Sequence, residues 1–208
     1  MALITICGHT FEEARLPEEP VILDAGSSGF GFTNEMFRLR PAARVIALDP
    51  IAERRKEKPG EQFHFMQRAL VGHSNPQVPF VEGGTGSHVA EKGKLVTACI
   101  SIQALMRWFE VHHWDLVKLD VEGSEFPILE NWPGPIASQI SVEFHDYLDP
   151  AKWGPDYFSD LWKKLPCYRA IQHEATSQRP GVGHLDTLLE CIHEVDRTHS
   201  TDRPRLPG

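Results

Sequence analysis

The chain has no lysine- or arginine-rich face, no C-x-x-C pair, no internal repeat and no apolar run long enough to span a membrane. Each absence removes a class of function. Acids outnumber bases by 29 to 21, for a formal net charge of -8, so nucleic acid is not expected as a main partner. The densest basic run, "ERRKEK", is interrupted by acids and reads as a solvated helix surface. Cys7, Cys99, Cys167 and Cys191 are scattered, which argues against a disulfide framework or a zinc knuckle and for a reducing compartment. The first residues, "MALITICGHTFEEARL", are too polar for a signal peptide, and no stretch suits membrane insertion. A cytoplasmic protein is expected.

What is present suits one α/β domain. The hydrophobic share of 41% over 208 residues is enough for a full core. Apolar strand-like runs alternate with helical ones. "PVILDAG", "ARVIALDP", "QFHFMQRALVG", "LVTACISI", "WDLVKLDV" and "SQISVEFH" read as strands, after a short N-terminal strand in "ALITICG" and with a brief one in "QVPFVEG". "TNEMFRLR", "IAERRKEK", "QALMRWFEV", "SEFPILENW" and "YFSDLWKKL" read as helices. "YRAIQHEA" and "HLDTLLECI" suggest a terminal hairpin. This alternation predicts a mostly parallel sheet covered on both faces, over residues 1–194. The polar, proline-rich residues 195–208 read as a flexible tail.

The acids fall in a telling place. Asp24, Asp49, Asp120 and the Glu143/His145 pair all stand at or near strand carboxyl ends. In open α/β sheets that edge faces the ligand crevice, where a carboxylate costs less than inside the sheet. "LDAGSSGFGFT" joins the first full strand to a helix, with glycines at 26, 29 and 31. A dinucleotide fingerprint is G-x-G-x-x-G; Gly26 and Gly31 match it, but Ser28 holds the middle position. Asp49 lies at the separation expected for a carboxylate that grips ribose hydroxyls. The loop brings no base for a pyrophosphate and adds Asp24, which suits a ligand carrying an ammonium and a sulfonium better than NAD.

In this order and spacing, "VILDAGSSGFGFT", "VIALDP", "RALVG", "LVKLDVEGSEFPIL" and "ISVEFH" resemble the FkbM-type S-adenosylmethionine-dependent methyltransferases. The most specific piece is K-L-D-V-E-G-S-E, similar to the family's K-I-D-V-E-G-x-E. The resemblance spans roughly residues 20–193. It implies a Rossmann-like class I methyltransferase fold, with a seven-stranded, mostly parallel sheet and an antiparallel terminal hairpin. It also implies O-methylation of a hydroxyl on a sugar, lipid or secondary metabolite. The implied cofactor residues are Asp24, Gly26, Ser27, Ser28, Gly29 and Thr33 from the loop, Asp49 and Pro50, Ala69, and Asp120. This chain has Asp49 where the family more often has Glu, and Ser28 and Phe30 where Asn and Gly are usual.

Methyl transfer to an alcohol needs alignment and a place for the proton. Asp120 is the first candidate to stand near the transferred methyl, and His145 is the candidate base, since its ordinary pKa lies near neutrality. Lys118 and Asp120 share one strand face, as do Glu143 and His145 on the expected neighbour. A buried lysine needs a partner, so Lys118 is expected to pair with Glu143, either as catalytic residues or as an ion pair that shapes the sheet. Glu122 is expected either in the site or orienting the following helix. Asp120, Glu143 and His145 also have the donor types for a divalent cation, although their spacing does not demand one. His112 and His113 precede their strand and belong to the opposite edge. His173 and His184 flank the hairpin turn, where they line the acceptor pocket or lie on the surface. Tyr147, Trp153 and Tyr157 either stack on an acceptor or anchor the core. Two other readings remain at this level: a non-catalytic binding protein on the same scaffold, and an NAD-dependent oxidoreductase, for which no Tyr-x-x-x-Lys pair is found.

Overall fold

The computed structural model describes residues 2–51, 62–81, 88–89, 95–148, 155–175 and 185–192. The expected helix at "IAERRKEK", together with Trp153, His184 and the tail, lies outside the described residues, as do the side chains of Tyr147 and His173. Thirteen strands are described: β1 (Leu3–Ile6), β2 (His9–Glu12), β3 (Val21–Ala25), β4 (Arg44–Leu48), β5 (Phe63–Met66), β6 (Ala69–Val71), β7 (Gln77–Val81), β8 (His88–Val89), β9 (Leu95–Ser101), β10 (Leu116–Leu119), β11 (Gln139–Phe144), β12 (Tyr168–Ala175) and β13 (Leu185–Cys191). Four helices accompany them: α1 (Gly31–Leu39), α2 (Ile102–Phe109), α3 (Glu125–Glu130) and α4 (Pro155–Lys164).

Seven strands form the main sheet in the order β12-β13-β11-β10-β3-β4-β5. β11, β10, β3, β4 and β5 run parallel, and β13 is antiparallel to both β11 and β12. The order reverses between β10 and β3, and the last-formed strand inserts antiparallel. The mostly parallel, doubly wound sheet is what the alternation of apolar runs predicts, and the antiparallel terminal strands complete the Rossmann-like class I methyltransferase fold that the family resemblance implies. The central strands are almost wholly out of water because the sheet is covered on both faces. One cluster packs Leu23, Leu48, Trp114, Val117 and Val142 against α2, α3 and α4; a second packs Phe11, Ile22, Phe32, Met36 and Leu116 on the α1 face.

Three details depart from the sequence pattern. The run "QFHFMQRALVG" yields two strands, β5 and β6, and β6 joins a separate four-stranded sheet, β6-β9-β7-β8. "LVTACISI" and "QVPFVEG" belong to that second sheet. The N-terminal strand is half of a hairpin with β2, turned by Cys7 and Gly8, both at positive φ. Short strands with tight turns carry little periodic signal, so "HTFE" does not stand out in the sequence.

The hairpin is firmly docked. Phe11 is fully buried, in edge contact with Phe32 at 6.4 Å. The Gln139 amide grips β2 at both backbone groups of one residue: its Oε1 accepts from Glu12 N–H at 2.8 Å, and its Nε2 donates to Glu12 O at 3.1 Å. Arg15 pairs with Glu190 on β13. These contacts place His9 against the carboxyl end of the main sheet.

Candidate active site

The carboxyl ends of β3, β4, β10 and β11 open onto a cleft of about 290 Å³. Gly26, Ser28, Asp49, Pro50, Ala69 and Asp120 line it, as do Glu122, Glu143 and His145. Its apolar wall comes from Leu48, Leu70, Val121 and Phe80. Phe80 did not stand out in the sequence, because it comes from the second sheet; Arg68 and Leu70 belong to the "RALVG" segment but did not stand out as site residues.

Gly26 is required where the loop leaves β3. Its φ is +81°, and a Cβ there would land on the Asp120 carbonyl oxygen. The two backbone segments therefore meet at the floor of the cleft. Gly26 and Ser27 N–H groups both donate to Leu48 O, at 2.8 and 3.1 Å, which ties the loop to β4. Asp49 follows directly, and its Oδ1 accepts from Ile51 N–H at 2.9 Å.

Beneath the loop lies the lysine that looked out of place in the strand. The register sets Lys118 opposite Asp24 on β3 and Ser141 on β11. Its Nζ donates to Gly26 O at 2.6 Å and stands 3.3 Å from both Asp24 Oδ1 and Asp120 Oδ2. Its partner is thus Asp24, in place of the expected Glu143, which lies two residues further along β11. Burial alone would lower the Lys118 pKa, but the Asp24 and Asp120 charges outweigh it and raise it, keeping the ammonium charged. Asp24 is fully buried, and Thr33 Oγ1 donates to its Oδ2 at 2.6 Å. Asp24, Thr33 and Lys118 accordingly support the loop from below and do not line the cleft. Ser27 is buried beside them, and Gly29 faces solvent outside the cleft, at φ +68°. Asp24, Ser27, Gly29 and Thr33, expected as cofactor residues, are not among those that line the cleft.

The second half of the cleft is a cluster of acids around two histidines. Burial pushes the Asp120 carboxyl up, but His9, the Lys118 ammonium and His145 together hold it well below the usual carboxylate range. His145 is almost fully buried, with Nδ1 2.9 Å from Glu125 Oε1. Its Nε2 faces three carboxylates: Glu122 at 3.3 Å, Asp120 at 3.8 Å and Glu143 at 4.0 Å. Burial would lower its pKa; Glu125 first, then Glu122 and Asp120, carry it up to about 9. At neutral pH the ring is an imidazolium, so His145 is a hydrogen-bond donor here and not the ready base that its ordinary pKa suggests. Glu122 is pushed up to about 7, first by burial and then by Asp120, Glu125 and Glu143, with His145 opposing.

Glu125 performs the role expected of Glu122. Its Oε1 accepts from Val121 N–H and its Oε2 from Gly123 N–H, both at 2.9 Å, closing the turn before α3. Glu122, at φ +49°, turns its carboxylate into the cleft instead. The last glutamate of K-L-D-V-E-G-S-E is therefore a structural hub, which the motif contained but could not reveal.

His9 is the residue that sequence reasoning missed. It is 1% exposed, and its Nε2 makes no hydrogen bond. That nitrogen points at Asp120 Oδ2, 3.7 Å away, while Nδ1 lies 3.4 Å from Ser141 Oγ. Tyr157 packs on Phe126 with ring centroids 5.3 Å apart, as a core anchor. His113 Nε2 lies 3.0 Å from Ser138 Oγ at the opposite sheet edge.

A Rossmann-like sheet whose carboxyl edge combines a glycine turn, a carboxylate after the second parallel strand and an acid-rich floor defines a class I methyltransferase. A family model described as the methyltransferase FkbM domain matches residues 28–190, and the chain belongs to that family. It is a methyltransferase that uses S-adenosylmethionine. No curated protein sequence matches the chain. Among solved structures it is similar to the Methanococcus jannaschii fibrillarin pre-rRNA processing protein, with 10% identity, 91% of this chain and 70% of that chain covered, and a TM-score of 0.53. It is also similar to the antibiotic-resistance methyltransferase Kmr, at 14% identity, 92% and 100% coverage and a TM-score of 0.46. CalO1, a methyltransferase in calicheamicin biosynthesis, aligns at 13% identity, 85% and 50% coverage and a TM-score of 0.42. At 10% identity the likeness to the fibrillarin structure speaks to the fold alone. No helix among the described residues is long and apolar enough to cross a membrane.

Proposed function

We propose that the protein methylates a hydroxyl oxygen of a small molecule. The observation that carries this reading is the acid cluster at the far end of the cofactor cleft. Asp120, Glu122 and Glu143 all line that end. Such a surface repels a phosphate backbone and suits a neutral polyhydroxylated acceptor, and a chain of net charge -8 offers no basic footprint for RNA. Fibrillarin's role in pre-rRNA processing is therefore not carried over to this chain.

The residues fit the cofactor. Gly26 and Ser28 at the turn would hold it, Asp49 would take its ribose hydroxyls, and Leu70 and Phe80 would offer an apolar wall for its base. The bound cofactor supplies a methyl group already activated on a sulfonium, so that alignment supplies much of the rate. Asp120 stands at the junction of the two halves and complements a cationic centre there. His145, held by Glu125, donates a hydrogen bond into the acceptor end. Glu122 takes the acceptor's proton: its carboxylate lines the cleft and is 3.3 Å from His145 Nε2, and Lys118 is committed to Asp24 and Asp120.

The test is transfer of a labelled methyl group to a panel of hydroxylated metabolites and, separately, to ribosomal RNA. Label in a small-molecule ether is expected. Label in RNA alone would overturn the reading, and cofactor binding without transfer to any acceptor would favour a non-catalytic scaffold. Glu122→Gln is expected to lower turnover by roughly 10²-fold or more while leaving cofactor affinity nearly unchanged.

A further inference from the structure

We infer that His9, Asp120 and Glu143 form a binding site for a divalent cation of the magnesium–manganese type, placed to hold the acceptor's oxygen. The inference rests on the methyltransferase reading for its purpose, but its geometry stands alone. One ligand atom from each of the three side chains lies within 4.8 Å of the others. Two ligands bound at ~2.1 Å to one ion lie roughly 3 to 4 Å apart. The 3.7 Å between His9 Nε2 and Asp120 Oδ2 fits that interval and is too long for a hydrogen bond.

His9 supplies the decisive observation. A buried imidazole nitrogen without a partner is costly, and buried polar atoms normally find one. His9 Nε2 is buried, makes no hydrogen bond and points at two carboxylates. The hairpin that carries it is clamped by Gln139, Phe11 and Arg15, so the ring is held in place before any ion arrives. On the other ring atom, Nδ1 is 3.4 Å from Ser141 Oγ; in the tautomer in which Nδ1 donates to that oxygen, Nε2 is left as the ligand. Two carboxylates and an imidazole offer ligand atoms to a doubly charged ion, which would share Asp120 Oδ2 with the Lys118 ammonium 3.3 Å away. Asp120 and Glu143 are 29% and 23% exposed at the cleft, which gives the ion an entry path and leaves positions for water or an acceptor oxygen. Carboxylate oxygens with a single imidazole favour manganese or magnesium over zinc or copper.

A second group, Asp120, Glu122 and His145, shares the central aspartate. There Glu125 holds Nδ1 and Nε2 faces the acids. His9 precedes the matched segment of residues 28–190, so this ligand comes from the chain's own N-terminal hairpin.

The experiment is titration of the full chain with Mn²⁺, followed by electron paramagnetic resonance, with S-adenosylmethionine binding measured calorimetrically on the same preparations. Saturable binding of Mn²⁺, displaced by Mg²⁺, with imidazole nitrogen coupling in the echo-modulation spectrum, is expected. His9→Gln should weaken Mn²⁺ binding roughly tenfold or more and remove nitrogen coupling assigned to selectively labelled His9, with cofactor affinity retained. Should His9→Gln fail to fold, Glu143→Gln, at the cleft wall, is read in its place and should weaken Mn²⁺ equally. No Mn²⁺ binding by the wild-type chain, or equal affinity in the folded variants, overturns the site. Cofactor binding without Mn²⁺ would remove the metal site and leave the methyltransferase reading; Mn²⁺ binding without the cofactor would do the reverse.

Discussion

His145 Nδ1 lies 2.9 Å from Glu125 Oε1, and both side chains are shut away from water. The pair stores stability in a pH-dependent form. The folded pKa of about 9 lies above the ordinary value of 6.5, against burial and chiefly because of Glu125. The charged pairing is therefore fully present below about pH 6.5 and is lost as pH rises through about 9. With a chelator present, Glu125→Gln should be less stable than wild type by about 3 kcal/mol at pH 6, and the gap should narrow by pH 10. Thermal melts across that range measure it; a gap that stays constant would leave only the turn-closing role of Glu125.

Lys118 and Asp24 make a second buried pair, 3.3 Å apart on adjacent parallel strands. Lys118→Met strands a buried carboxylate and should cost about 3–5 kcal/mol in denaturant unfolding. Adding Asp24→Leu should recover much of that loss. A double variant no more stable than the single one would show that the lysine matters through something other than this pair.

Two glycines in the same loop should respond differently. Gly26→Ala places a methyl on the Asp120 carbonyl and should weaken S-adenosylmethionine binding well beyond tenfold, with a lower melting temperature. Gly29→Ala has open space around it and carries only the left-handed backbone penalty, about 1 kcal/mol. Similar losses in the two variants would argue against the close approach as the cause.

Asp49 and Thr33 separate contact from support. Asp49 lines the cleft and accepts from Ile51 N–H, so Asp49→Ala should reduce cofactor affinity about tenfold or more, a larger effect on binding than its loss of about 1 kcal/mol of stability. Thr33 is buried beneath the loop, donating to Asp24 at 2.6 Å. Thr33→Val should lower stability by about 1–2 kcal/mol and change affinity less. Calorimetry and melting on both variants would expose a reversed pattern.

The sheet and the edge where chemistry happens were legible in one dimension. Apolar runs ending in Asp49, Asp120 and Glu143 mark parallel strands whose carboxyl ends meet a ligand, because an unpaired carboxylate is tolerated at that edge and not within the sheet, where Asp24 needs Lys118. The glycine turn and the acidic signature were legible for the same reason. Partner choice was not. Lys118 could have faced either neighbouring strand, and only the register set it against Asp24.

Sequence alone thus determined the fold class, the family resemblance and the edge that carries the site, since these follow from local periodicity and from where charge can be buried. Tertiary structure decided the rest. It turned Glu125 back to cap its own turn, left Glu122 facing the cleft, gave His145 a proton, and brought His9 from a hairpin 111 residues before Asp120 to within 3.7 Å of it. Those outcomes depend on distances between side chains remote in the chain, and electrostatics acts through such distances, which spacing along a sequence does not encode.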